Sequence, residues 1–270
     1  SAFRIIVMQN EIKRQNQELL HFRERVNAEL ELAARLQIGL LPPVPGEASS
    51  IRYTHRYLPA EGIGGDIYAI TPTADGGVAV MIADVSGHGV TAALISAMVK
   101  TSFESHVRVG GQPLDWAQGM NGDLARNTLA EQFATAFIGY IPADGEEIHY
   151  VVAGHVPPFR IPRGAGGGLH RPEILHGKGF MLGIAEDMPF TAQKAPFLLG
   201  DRIILFTDGL VEVEREDRRL LGEDGLMKYC AELPEDGDAA AGLLVSKAQE
   251  FNNPVPFGDD VTLVILDRVG

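Results

Sequence analysis

Apolar residues follow two different periods along this chain. Up to about residue 41 they recur in alternating steps of three and four, at Ile5, Met8, Ile12, Leu19, Phe22 and Val26, with Gln15 as the one polar position in the series. That is the heptad spacing by which helices bury a common seam. No glycine comes before Gly39 and no proline before Pro42. After Val26 the series continues at Leu30, Ala33, Leu36 and Leu40 with a different step, and such a change of phase alters supercoiling locally. Pro42-Pro43 stops the helix, because a residue before proline avoids the α region. The pattern predicts an N-terminal, coiled-coil-like helix over 1–41 that dimerises and feeds a signal into a catalytic domain. A single amphipathic helix packed on its own domain is the alternative, but seven seam positions exceed what one packed face needs.

From about residue 50 the period drops to two, or to short apolar runs. This predicts strands at 51–58, 66–72, 76–84, 134–141, 147–153, 157–161, 201–207 and 261–267. Helical spacing returns at 89–106, 112–130, 222–231 and 237–252. Thr73-Ala74-Asp75-Gly76-Gly77 and Pro142-Ala143-Asp144-Gly145 are turn sequences between neighbouring strands and read as hairpins. Gly164 to Gly168 holds four glycines in five residues and reads as a flexible surface loop. Hairpin-linked strands followed by helix pairs indicate the α+β class, with antiparallel sheets and helices outside them, rather than alternating βαβ units. Residues 42–270 are expected to form one domain.

Composition adjusts this picture. The 270 residues, 45% of them apolar, suffice for one large domain with an appendage. A formal net charge of −13 argues against a nucleic-acid partner held on a general basic surface. Cys230 is the only cysteine, which rules out an intramolecular disulfide and fits a reducing compartment. Its neighbours Met227, Tyr229 and Leu233 suggest a core thiol. No apolar run reaches the roughly 18 residues of a membrane span, and no signal peptide is present. The chain begins at Ser1, inside a helical pattern and without an initiator methionine. It therefore reads as a cytoplasmic piece cut from a longer protein, whose upstream segments could carry a membrane anchor.

The candidate chemistry lies in four acidic motifs far apart in the chain: Gly64-Gly65-Asp66, Asp84-Val85-Ser86-Gly87-His88-Gly89, Thr207-Asp208-Gly209 and Gly258-Asp259-Asp260-Val261-Thr262. Each sets an aspartate against a β-rich apolar run, such as 78–83 or 203–206. A buried strand ending in a carboxylate must pair that charge or give it a cation. Several such ends meeting at one sheet edge would form an oxygen-rich site for Mg²⁺ or Mn²⁺, which prefer carboxylate and water ligands. The backbone carbonyl of Val85 could add a further oxygen.

Taken singly, each motif has a plainer reading. Asp84 could cap the helix that begins at 89. Gly64-Gly65-Asp66 and Thr207-Asp208-Gly209 could be ordinary turns. Asp259-Asp260 is harder to dismiss, because adjacent carboxylates raise each other's pKa unless a cation intervenes. His88 and His155 lie in glycine-flanked turns, where a histidine bonding loop backbone is favoured over an acid–base role. No GxSxG, P-loop, paired CxxC or HExxH occurs, so nucleophilic-serine and zinc chemistry have no support.

Placed in order, seven motifs make residues 30–267 resemble the metal-dependent PPM (type 2C) serine/threonine phosphatases, in their bacterial SpoIIE/RsbU-type branch. They are Leu36-Gln37-Ile38-Gly39-Leu40-Leu41-Pro42-Pro43, Gly64-Gly65-Asp66-Ile67-Tyr68, Asp84-Val85-Ser86-Gly87-His88-Gly89, Ala134-Thr135-Ala136-Phe137, Ala153-Gly154-His155-Val156-Pro157-Pro158, Asp208-Gly209-Leu210-Val211-Glu212 and Asp259-Asp260-Val261-Thr262. The resemblance implies a four-layer αββα sandwich, two antiparallel sheets flanked by helices. It implies that Asp84 bridges two Mn²⁺ or Mg²⁺ ions with the Val85 carbonyl on one of them. Asp208 and Asp259 would complete the other ion, with Asp66 close by. Asp260 stands where relatives in the wider family often carry asparagine, and Val85 where they carry glycine. No arginine of this chain can be placed in the phosphate-holding role that eukaryotic relatives use.

The implied reaction is in-line hydrolysis of phosphoserine or phosphothreonine by a metal-activated water, with Asp84, Asp208 and Asp259 as the catalytic set and no phosphoenzyme. The implied substrate is a small phosphorylated anti-sigma-factor antagonist protein. The N-terminal helix would carry an upstream sensor's state to the metal site within a homodimer. Two rivals fare worse. Gly64-Gly65-Asp66 matches the start of the GGDEF signature of diguanylate cyclases, but the match fails after Asp66 and leaves the other motifs unexplained. A pseudo-phosphatase that binds without turnover is disfavoured, because every expected side-chain ligand position carries aspartate.

Overall fold

The computed structural model describes residues 2–128, 131–163, 171–252 and 255–269. The glycine-rich stretch at 164–168 lies outside the described residues, as do 129–130 at the end of the helix expected over 112–130.

Helix α1 runs over Ala2–Leu40. Its seam residues Met8, Ile12, Leu19 and Phe22 are each more than half exposed. Surface ion pairs of Arg14 with Glu11 and Glu18, both at 2.6 Å, lie along the same helix. Among the described residues, only the C-terminal part of α1 meets the rest of the chain. There the buried residue is Gln37, while Leu36, a seam position in the sequence, is 67% exposed.

The remaining chain folds into two antiparallel sheets. One has the order β3(Ile67–Pro72), β4(Val78–Val85), β5(Ala134–Ile141), β6(Glu147–Ala153), β9(Gln193–Pro196). The other runs β1(Gly46–Ala48), β2(Ile51–Leu58), β11(Val261–Arg268), β10(Arg202–Phe206), β7(Phe159–Ile161), β8(Glu173–Ile174). The period of two explains the layering. In the first sheet Ile67, Ala69, Ala79, Met81, Ala83 and Val85 pack under α2(Gly89–Val109) and α3(Pro113–Asn127). The alternate residues Tyr68, Val78, Val80 and Ile82 meet the second sheet. In the second sheet Ile203, Leu205, Val264 and Leu266 point to that shared layer. Ile204, Phe206, Leu263 and Ile265 face α4(Gly222–Tyr229) and α5(Gly237–Phe251) instead. Both faces of each central strand are thus covered, so these strands read as continuous apolar runs. The result is the αββα order of layers.

The elements missed in the sequence are β1, β8 and β9, each four residues or fewer and too short to establish a period. Helix α4 stops at Tyr229, short of the expected 231, and passes into a 3₁₀ turn over Cys230–Glu232. Cys230 is buried there, and burial pushes its thiol up to about 12, as befits a core residue. Both expected hairpin turns form: Thr73 N–H donates to the Gly77 carbonyl at 3.0 Å, and Gly145 N–H to that of Pro142 at 3.3 Å.

One end of the second sheet holds its buried acids in ion pairs. Just before β10, Asp201 accepts from Arg160 at 2.7 Å and 3.0 Å. Asp267 on β11 accepts from Arg202 at 2.6 Å. Among the described residues, no helix is long and apolar enough to cross a membrane.

Candidate metal centre

The opposite end of the sandwich carries different acids. In the first sheet β4 ends at Asp84-Val85, opposite Thr135 and Ala134 of β5. Asp66 precedes β3, whose first residue Ile67 pairs with Ala83 of β4. In the second sheet Phe206 closes β10, and Asp208 comes next in a 3₁₀ turn over Asp208–Leu210. Asp259 and Asp260 immediately precede β11, whose Leu263 pairs with Phe206. Antiparallel pairing therefore brings two strand ends from each sheet to one edge.

Hydrogen bonds tie the two sheets together at that edge. Thr207 Oγ1 donates to Asp66 Oδ2 at 2.7 Å and accepts from the Thr262 N–H at 2.9 Å. The carboxylate of Asp260 accepts from the N–H groups of Gly65 at 2.7 Å and Ala60 at 2.8 Å. Asp259 Oδ1 accepts from the Asp260 N–H at 2.8 Å. Glycines make the approach feasible. A Cβ on Gly65 would come within 2.6 Å of the Val85 carbonyl oxygen. One on Gly64 would collide with the Asp260 carboxylate, and one on Gly209 with the Asp260 carbonyl oxygen. The glycines beside the aspartates thus make room for them as well as turning the chain.

The electrostatics are those of a carboxylate cluster. Burial, reinforced by Asp208, Asp259, Asp260 and Glu212, pushes Asp84 up to about 7. Burial, then the charges of Asp259 and Glu212, raises Asp208. Asp66 is raised well above the ordinary carboxylate range, chiefly by burial and then by Asp84. Burial raises Asp260 too, against the opposing pull of its backbone donors. Asp259 is exposed at the rim. Among the described residues, no lysine or arginine forms an ion pair with any of these five; the well-buried pairs lie at the other end.

A donor set of carboxylates with one backbone carbonyl is what a hard divalent cation takes. Asp66 Oδ1 is buried with no hydrogen-bond partner among the described residues, and a second charge on the cluster would relieve the repulsion that raises Asp84. The residues therefore fit Mg²⁺ or Mn²⁺. They are neighbours rather than a closed cage: among the described residues, no three acidic, histidine or cysteine side chains are grouped tightly enough to ligate one ion.

Of the positions predicted from the sequence, Asp66, Asp84, Val85, Asp208, Asp259 and Asp260 all lie at this edge. Asp84 does not cap α2, whose N-cap is His88, with no side-chain capping bond. His88 is exposed, its Nδ1 3.1 Å from a Glu61 carboxylate oxygen. His155 is buried, and burial pushes its pKa down to about 4. Its Nε2–H donates to the Phe206 carbonyl at 3.1 Å, and its Nδ1 lies 2.8 Å from Thr135 Oγ1. His155 is thus a backbone-bonding histidine, though on strand β10 rather than a loop, whereas the partner of His88 among the described residues is a side chain.

Three participants escaped sequence reasoning. Gln37 of α1 donates to the Gly64 carbonyl at 2.6 Å, accepts from its N–H at 3.2 Å and reaches Ser96 of α2 at 3.1 Å. Thr207 read as part of a turn, and its hydroxyl serves Asp66. Glu212 read as part of a motif only, and its charge acts on Asp84 and Asp208. None leaves a hydropathy signal. Gln37 stands within the Leu36-to-Pro43 motif of the resemblance, which assigns it no role.

Known proteins share this architecture. The sequence pattern of the family described as Stage II sporulation protein E (SpoIIE) matches residues 74–269. Phosphoserine phosphatase RsbU of Bacillus subtilis (strain 168) is 28% identical over 261 residues, covering 94% of this chain and 74% of RsbU. The structure of the SiaA-PP2C domain of Pseudomonas aeruginosa superimposes with a TM-score of 0.78 at 18% identity, covering 92% of this chain and 98% of that one. The catalytic domain of serine threonine protein phosphatase PstP, solved in complex with 2 manganese ions, gives a TM-score of 0.57 at 17% identity, over 82% of this chain and 99% of that one. The chain belongs to the SpoIIE family, in the SpoIIE/RsbU-like branch of the PPM phosphatase fold.

Proposed function

We propose that this SpoIIE-family chain is a metal-dependent phosphatase that removes phosphate from phosphoserine or phosphothreonine on a small regulatory protein of the anti-sigma-factor antagonist type. One observation carries the reading. Five aspartates from both sheets gather at one edge with no cationic partner among the described residues, and their burial and mutual charge push Asp84 up to about 7. The activity named for RsbU supports the reaction class, and the manganese ions of PstP support the metal.

Asp84, the Val85 carbonyl, Asp208 and Asp259 would hold two Mn²⁺ or Mg²⁺ ions, with Asp66 and Asp260 behind them. Ions held there lower the pKa of water and neutralise charge on phosphoryl oxygens. The chain's own work is placement. Thr207 fixes Asp66, and the Gly65 and Ala60 N–H groups fix Asp260. Asp84 is anchored on β4 between buried Ala83 and Val85, and Asp208 opens the 3₁₀ turn that follows β10, after buried Thr207. Asp84, Asp208 and Asp259 are the catalytic set in this reading.

Residues 1–41 would form the signalling and dimerisation helix, and 42–270 the catalytic domain. The exposed seam of α1 supports a partner helix, and Gln37 gives that helix a direct hold on the loop before Asp66. The deciding measurement is phosphate release from a phosphorylated antagonist protein, with Mn²⁺ and with EDTA. Release is expected with metal, none with chelator, and none from Asp84→Ala. Release that survives EDTA would overturn the reading.

A further inference from the structure

A cavity of about 410 Å³ opens beside the aspartates. Gly209 and Asp259 line it, so it is continuous with the proposed phosphate-handling edge. Its lining has two characters. Val213, Pro256 and Phe257 supply apolar surface, and Glu212 and Glu214 supply acid. Val213 is buried and Phe257 half-buried, whereas both glutamates are exposed. Among the described residues, no ion pair engages either glutamate, whereas Asp217 pairs with Arg215 and Arg219.

An apolar floor under an acidic rim matches one side-chain chemistry, a long aliphatic stem ending in a cation. Such a side chain lays its methylenes on apolar surface and keeps its charged head among the acids. A neutral apolar residue would fill the floor and leave the rim unused. An acidic one would be repelled by Glu212, Glu214 and Asp259 together.

We propose that this cavity is a specificity subsite that receives a lysine or arginine flanking the phosphorylated serine or threonine of the protein substrate. The inference rests on the phosphatase reading above and adds the sequence context that the enzyme selects. Glu212 and Glu214 are specificity residues in this scheme, and Val213 and Phe257 seat the stem.

The test uses the whole chain with Mn²⁺ and synthetic phosphoserine peptides that differ at one flanking position: lysine, norleucine, alanine or glutamate. Each flanking position within three residues of the phosphoserine is tried in turn. Specificity is the ratio of kcat/KM values, and lysine is expected to exceed alanine by about tenfold at one position, with norleucine between them and glutamate last. In the double variant Glu212→Gln, Glu214→Gln the lysine-to-alanine ratio should fall to within about twofold of unity. Glu29→Gln, an exposed acid on α1, should keep the wild-type ratio and so separates the cavity from the general field of an acidic protein. Equal kcat/KM across the peptides, or a lysine preference that survives the double variant, overturns the subsite and leaves the phosphatase reading standing. The phosphatase reading is judged apart, by phosphate release from the phosphorylated antagonist protein with Mn²⁺, and fails if neither that protein nor any phosphopeptide is turned over. Fluorescence anisotropy of the same labelled peptides then judges the cavity alone, by the same loss of lysine preference in Kd.

Discussion

Strands β10 and β11 have acids at or beside both ends, and the two ends treat them oppositely. At one end Asp201 is held by Arg160 and by the N–H groups of Leu198 and Arg163, and Asp267 is held by Arg202. At the other end Asp208, Asp259 and Asp260 meet Asp66 and Asp84 from the facing sheet, with no basic side chain among the described residues paired to any of them. The same residue type on the same strands is thus neutralised for stability at one end and left uncompensated at the other. A fold that supplies two arginines at one end does not lack the means to supply them at the other. Uncompensated charge at this end is what the proposed cations would neutralise.

The strongest way to break this contrast is to remove one acid from each end. Asp84→Ala should reduce turnover by about a thousandfold or more while the protein stays folded, measured as phosphate release with Mn²⁺. Asp201→Ala should do the reverse. It leaves Arg160 buried without its main partner, and stability should fall by about 3–5 kcal/mol in urea unfolding, with turnover of the folded fraction retained. If both variants lost stability alike and neither lost turnover selectively, the two ends would not differ in purpose.

Stability against pH sharpens the same point in metal-free protein. The pKa of Asp84 is raised in the folded state, from an ordinary carboxylate value to about 7. Between those values Asp84 binds more proton in the folded than in the unfolded chain, so its contribution to stability should fall as pH rises from about 4 to 7, while His155, which burial lowers to about 4, contributes with the opposite sign. The Asp84 slope is opposite in sign to the usual salt-bridged carboxylate. Asp84→Asn isolates that contribution: the melting temperature of the wild type minus that of the variant, both metal-free, should fall through that window, and saturating Mn²⁺ should reverse the trend; a difference that rises without metal would contradict the uncompensated cluster.

Thr207→Val tests the inter-sheet tie. It keeps the shape, removes the donor to Asp66 and strands the Thr262 N–H, so about 1–3 kcal/mol of stability should go, together with some Mn²⁺ affinity by calorimetry. Mildest for the sandwich should be Leu19→Lys with Val26→Lys. Sedimentation should show a well-folded monomer with altered turnover, and an unchanged oligomeric state and rate would dismiss the seam as an interface.

Much of this was legible in the chain. Ile203-Ile204-Leu205-Phe206 and Val261 to Leu266 announce strands covered on both faces, and each run has an aspartate close to its end. Gly64, Gly65 and Gly209 mark places where backbone must pass close to something. The identity of that neighbour was not legible, because nothing in Gly64 names Asp260, nearly the whole domain away. Gln37 was hidden for a related reason. A polar residue on a helix surface is normally solvated, and only the packing of α1 against α2 and the loop at Gly64 turns it inward.

The order of letters therefore determined which strands exist, which faces are apolar and which strand ends carry acid, since those come from local period and composition. It also determined that the N-terminal helix carries an apolar seam, whereas the exposure of Met8, Ile12, Leu19 and Phe22 in that seam emerged from the tertiary structure. Only the tertiary structure decided which acids would be paired with arginine and which would face each other. Pairing depends on antiparallel register and on contacts between residues far apart in the chain, and no local pattern encodes that distance.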